Sequence, residues 1–78
     1  MSAKEMFKEL GYELIQDDMY WLIYSVNKDK WYSFNIEFNK NEKQIHIAGK
    51  QPSNGKIIDM QELKAINKQI EELGWNNE

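Results

Sequence analysis

The stretch Trp31-Tyr32-Ser33-Phe34-Asn35-Ile36-Glu37-Phe38 alternates large apolar residues with mostly polar ones. Successive side chains of a β-strand point to opposite faces. Tyr32, Phe34, Ile36 and Phe38 therefore share one face, and Trp31, Ser33, Asn35 and Glu37 share the other, which is the pattern of a half-buried strand. Downstream, a four-residue turn at 40–43 would set Phe38 opposite Ile45 and Ile36 opposite Ile47 in a strand over 44–48. Every large apolar residue of both strands then lies on one face, and Glu37 stands opposite His46 on the other.

Upstream, residues 20–26 are aromatic or branched enough for a strand, and 27–30 read as a turn. The register of this first hairpin stays open. A two- or four-residue turn pairs Ile23 with Phe34 and Trp21 with Ile36, whereas an odd-length turn buries Tyr20, Leu22, Tyr24 and Val26. A slip of one residue exchanges the faces. A strand apolar on both sides belongs in the middle of a sheet. Residues 12–16 form a further short strand that Asp17-Asp18 stops.

Both ends read as helices with matching start and stop signals. Ser2 and Glu5 make a capping box, as do Asp59 and Glu62. Met1 with Met6, and Ile58 with Leu63, are placed as hydrophobic staples. Gly11 and Gly74 supply the left-handed residue that ends each helix, with Tyr12 folding back on Phe7 and Trp75 on Ile70. In the second helix Leu63, Ile66, Ile70 and Leu73 make the expected buried stripe, with Ala65 beside it. Residues 49–56 hold Pro52 and Asn54-Gly55 and read as a loop. The expectation is a single α+β domain over 1–78. It has a short N-terminal helix, an antiparallel meander of three to four strands and a longer C-terminal helix, both helices packed on one sheet face.

Composition narrows the functional classes. The chain has 78 residues, no cysteine and a net charge of −3. Disulfides and thiolate metal sites are excluded. All 10 basic residues are lysine, so the arginine fork that reads bases and grips phosphate is missing, and no nucleic-acid partner is expected. No apolar run approaches the length of a membrane span, and the cytoplasm is the expected location.

Candidate chemistry is sparse. His46 with Glu37 has the minimum for acid–base work, but an exposed cross-strand pair explains both residues. Residues 49–57 depart from a phosphate loop in the glycine spacing and in Ile57, which follows Lys56 where Ser or Thr is needed. Asp17-Asp18 lacks the ligand ladder of a calcium loop. No enzyme activity, metal or cofactor is expected. Three tryptophans and four tyrosines remain, many rings for a small core. Two helices cover only one sheet face, so the rings left over, Trp31 above all, point to an interface. Its expected residues are Trp31, Trp21, Tyr24, Ser33, Asn35, Glu37 and His46.

Two segments, residues 2–12 and 62–75, resemble small uncharacterised proteins encoded by phages and prophages of low-GC Gram-positive bacteria. The shared residues are the caps, staples and helix stripes, so the resemblance carries over no functional residue. It implies an accessory viral product in a bacterial host cytoplasm that acts by binding a host protein, defence components included. The expected function is accordingly non-enzymatic protein–protein binding. The alternatives are a homodimer joined through its sheet face and a small-molecule sequestering protein with an aromatic-lined pocket.

Overall fold

The computed structural model describes residues 1–50 and 57–75. Its elements are α1 (Ala3–Glu9), β1 (Glu13–Asp17), β2 (Trp21–Asp29), β3 (Tyr32–Asn39), β4 (Gln44–Lys50) and α2 (Met60–Glu72). The strands form one antiparallel meander in the order β1-β2-β3-β4. The loop expected over 49–56 falls largely on 51–56, outside the described residues.

The helix ends follow the sequence signals closely. Both capping boxes close reciprocally, Ser2 with Glu5 and Asp59 with Glu62. At the C-terminal ends, Tyr12 N–H donates to Phe7 C=O at 2.9 Å and Gly11 N–H to Lys8 C=O at 3.0 Å. Trp75 N–H likewise donates to Ile70 C=O at 3.2 Å and Gly74 N–H to Glu71 C=O at 3.0 Å. These paired bonds are Schellman motifs, and they need Gly11 (φ 92°) and Gly74 (φ 78°) in the left-handed region. Each motif also turns an aromatic residue inward: Tyr12 meets Phe7 edge-on, ring centroids 5.2 Å apart.

Two helices and one sheet face share a single core. Phe7 from α1, Ala65 and Ile66 from α2, and Leu22, Tyr24, Val26, Phe34, Ile36 and Phe38 from the sheet belong to it. The second hairpin has the expected register, with Phe38 opposite Ile45, Ile36 opposite Ile47 and Glu37 opposite His46. β4 runs further than expected, through Gly49 to Lys50. A Cβ at Gly49 would lie 2.8 Å from both Phe34 Cα and Ser33 O. Glycine is thus required there by the close approach of β3.

The first hairpin is settled by a bulge. β2 extends through the expected turn to Asp29, which pairs with Tyr32, leaving Lys30 and Trp31 as the turn. Carried inward without interruption, that pairing would set Asn27 opposite Phe34 and Ser25 opposite Ile36, placing polar side chains in the core. A register shift between Asn27 and Asp29 prevents this. Leu22 lies opposite Phe38, Tyr24 opposite Ile36 and Val26 opposite Phe34. The odd-register expectation thus holds for Leu22, Tyr24 and Val26, but not for Tyr20, which is 60% exposed beyond the start of β2. A second bulge, between Leu14 and Gln16, interrupts β1.

The expected stripe of α2 needs correction. Leu63 is 40% exposed, whereas Glu62 and Gln69 are buried at 1% and 6%. The side of α2 toward the sheet is centred on Glu62, Ala65, Ile66 and Gln69, so Leu63 falls on a flank. Hydrophobicity alone could not reveal this, because the polar pair is buried only by virtue of partners far away in the chain, Tyr12 and Lys28 for Glu62 and Tyr24 for Gln69. The staple of Ile58 with Leu63 is weakened for the same reason, and Met1, the outer half of the other staple, is 69% exposed. In the monomer, at a protein concentration too low for association, Leu63→Ala is expected to cost less than ~1 kcal/mol in a urea melt, well below the ~2–5 kcal/mol of a fully buried leucine. A loss in that upper range at such a concentration would show that the flank is covered within the single chain.

Candidate functional site

The face of the sheet away from the helices is built by the alternate residues of each strand. Glu13, Ser25, Asn35 and Ala48 stand in one row across it. Gln16, Ile23, Glu37 and His46 stand in the next, and Trp21, Asn39 and Gln44 in a third. Asn27 and Ser33 continue it toward the β2–β3 turn. Amides, hydroxyls and the two carboxyls of Glu13 and Glu37 dominate this surface. Ile23, at its middle, is only 9% exposed.

Of the expected interface residues, Trp21, Ser33, Asn35, Glu37 and His46 do share this face. Tyr24 does not: it is 2% exposed and stacks on Phe7 at 4.0 Å on the helix side. The bulge that set the register of β2 sent it there. Trp31 is not on the face either. It leaves the strand and occupies the turn between β2 and β3, where it is 71% exposed. Its backbone N–H donates to Asp29 Oδ1 at 2.7 Å, which holds the turn, and Lys30 Nζ lies 5.2 Å from its ring centroid.

At the opposite end of β2 the β1–β2 turn presents Met19 and Tyr20, 78% and 60% exposed. Asp18 Oδ1 accepts from the N–H groups of Trp21 and Tyr20 at 2.9 Å each. Those backbone bonds, with the Gln16 amide, hold the Asp18 carboxyl below its usual pKa. Lys40 Nζ ties the turn to β3 through Asp17 Oδ1 at 2.9 Å and the Asp18 carbonyl at 2.7 Å. Asp17-Asp18 was expected only to stop a strand, Tyr20 was expected in the strand that follows, and Met19 was given no role; Met19 and Tyr20 instead both lie in the turn. Apolar residues immediately after an Asp that can accept from the next backbone N–H groups were the available signal.

His46 Nδ1 lies 3.2 Å from Glu37 Oε1, with the Glu37 side chain 18% and the His46 side chain 69% exposed. This is a cross-strand pair in contact with water. Among the described residues no group of three His, Cys, Asp or Glu side chains is placed to hold a metal ion.

The buried polar groups are arranged differently, under the helices. Tyr12 Oη donates to Glu62 Oε2, and Lys28 Nζ reaches the same oxygen at 3.0 Å. Glu62 Oε1 accepts from Asp59 N–H at 3.0 Å. Tyr24 Oη donates to Gln69 Oε1 at 2.6 Å. No buried side-chain polar atom among the described residues lacks a partner, so this network orients α2 on the sheet. Burial first, then the Glu62 hydrogen bond and charge, raises the Tyr12 phenol above the usual tyrosine range. Burial, then the charges of Glu72 and Asp17, pushes Tyr24 up to about 12.

An alkaline transition follows. A group whose folded pKa is raised gives stability that is complete below its unfolded pKa and lost as pH rises toward the folded value. For Tyr24 that window runs from about 10, the unfolded value, to about 12. The expected loss is on the order of 2 kcal/mol at its upper end. Melting temperatures measured across this range should fall for the wild type and fall less for Tyr24→Phe. Equal slopes would show that the phenol does not titrate with unfolding.

A cleft of about 290 Å³ between α1 and β1 is lined by Lys4, Lys8, Tyr12, Glu13, Leu14 and Tyr24. Both tyrosine hydroxyls there are engaged by α2. No helix among the described residues is long and apolar enough to cross a membrane. Comparison with family models, curated proteins and solved structures finds no match for the chain.

Proposed function

We propose that this chain is a non-catalytic protein-binding module anchored by the β2–β3 turn and the adjoining end of the open sheet face. The observation that carries the reading is Trp31: a tryptophan 71% exposed, at the tip of a turn pinned by Asp29. A turn whose backbone is already held loses less freedom on binding, and tryptophan is among the residues most enriched at the energetic centres of interfaces. Ser33, Asn27 and Asn35 lie behind the tip on the sheet and offer donors and acceptors for the polar rim that surrounds such a centre. The resemblance of the helical ends to phage and prophage products supports a bacterial host protein as the partner.

Immobilised wild-type chain is expected to retain a defined protein from a bacterial lysate. Trp31→Ala is expected to weaken that complex by ~2 kcal/mol or more, about thirtyfold in dissociation constant. Its melting temperature should stay close to wild type, because no core contact is lost. Retention of the same partner with unchanged affinity would remove the turn as the anchor. A large fall in melting temperature would make Trp31 a stability residue.

A further inference from the structure

The sheet has two edges, and they differ in ways that bear on self-association. β1 is five residues long, interrupted by a bulge, and carries Glu13 and Asp17. Bulges and charges are the usual means by which a protein blunts an edge, and two copies of β1 would bring carboxyl groups together. β4 is seven residues long, pairs with β3 without a register shift from Gln44 to Lys50, and holds no Asp, Glu or Pro. Alternate residues of any edge strand turn N–H and C=O outward, a template for another strand.

The apolar surface beside β4 continues that edge. Ile45 is 36% exposed on the helix side, with Ile47 half-buried next to it in the pattern. The flank of α2 toward α1 carries Gln61, beside Met6 and Leu10, and Glu72, which accepts from Ala3 N–H at 2.9 Å. Helical spacing puts Leu63 and Ile70 on the opposite flank. Because α1 lies on the β1 side, that flank looks toward β4, with Leu63 40% exposed.

We propose that β4 is a self-association edge, pairing antiparallel with β4 of a second copy about a two-fold axis perpendicular to the sheet. The symmetry keeps both pairs of helices on one side of a continuous sheet. It sets Ile45 and Ile47 of the two copies side by side, with Leu63 and Ile70 of each facing the other across the seam. The charge pattern favours a second copy as the occupant: in an isologous interface residue i of one copy meets residue j of the other and j meets i, and no such pairing within residues 44–49 brings two carboxyl groups together. The open face and the Trp31 turn remain free, so this assembly is separate from the proposed partner-binding site.

Sedimentation equilibrium of the full chain from micromolar to millimolar concentration is expected to show a mass rising from 9.4 kDa toward twice that value. Ile45→Lys and Ile45→Glu should each stay monomeric, and their equimolar mixture should associate again. Amide hydrogen exchange in wild-type β4 should slow as concentration rises, while exchange in β1 does not change. That last measurement decides the matter even if the variants fold poorly. A wild-type mass fixed at 9.4 kDa, a dimer that survives in both folded variants, or concentration-dependent protection at β1 overturns the proposal.

Discussion

Phe7→Ala is expected to destabilise the protein by about 3–5 kcal/mol, the range for removing a fully buried aromatic ring. Phe7 is 0% exposed, and its ring stacks on Tyr24 at 4.0 Å and an interplanar angle of 20°. It also meets Tyr12 at 5.2 Å and Phe38 at 6.4 Å edge-on. The short α1 has seven residues, and of its apolar residues only Ala3 and Phe7 are fully buried. Losing the ring therefore opens a cavity and also removes most of what holds α1 to the sheet. A domain of 78 residues has a total stability of roughly 4–12 kcal/mol. The variant should accordingly lose much of its folded population near room temperature, with its urea midpoint and melting temperature both falling sharply. A loss under about 1 kcal/mol would mean that α1 is not docked as a rigid element.

Glu62→Ala is expected to cost about 3 kcal/mol. The side chain closes the capping box at the start of α2 and, through its other oxygen, accepts from buried Tyr12 and from Lys28. Alanine would leave the Tyr12 hydroxyl buried without its acceptor and remove the cap bond to Asp59 N–H. The Lys28 part contributes less, since its side chain is 31% exposed and can turn to water. Glu62→Gln, which preserves shape and an acceptor, should cost about 1 kcal/mol. A cycle with Tyr12→Phe separates the terms: if the buried hydroxyl dominates, Tyr12→Phe should restore much of the stability lost in Glu62→Ala. Strict additivity of the two substitutions would show that the residues do not interact across the core.

Local signals in the sequence determined the ends of the chain and the second hairpin. Ser2, Glu5, Gly11, Asp59, Glu62 and Gly74 act within a few residues of themselves, so caps and Schellman turns could be read without knowing the fold. The strict alternation from Tyr32 to Phe38, matched by Ile45 and Ile47, likewise fixed its register, because only one pairing buries every large side chain together. Three outcomes required the tertiary structure. The bulge between Asn27 and Asp29 chose which face of β2 meets the helices, since β2 is apolar on both sides and its own pattern is indifferent. That choice buried Tyr24, while the turn formed by Lys30 and Trp31 carried the tryptophan off the sheet to an exposed tip. Finally, Glu62 and Gln69 took core positions where Leu63 was expected. A polar side chain is buried without large cost only when its partners are in place, and those partners, Tyr12, Lys28 and Tyr24, lie 34 to 50 residues away and meet α2 only in the folded chain.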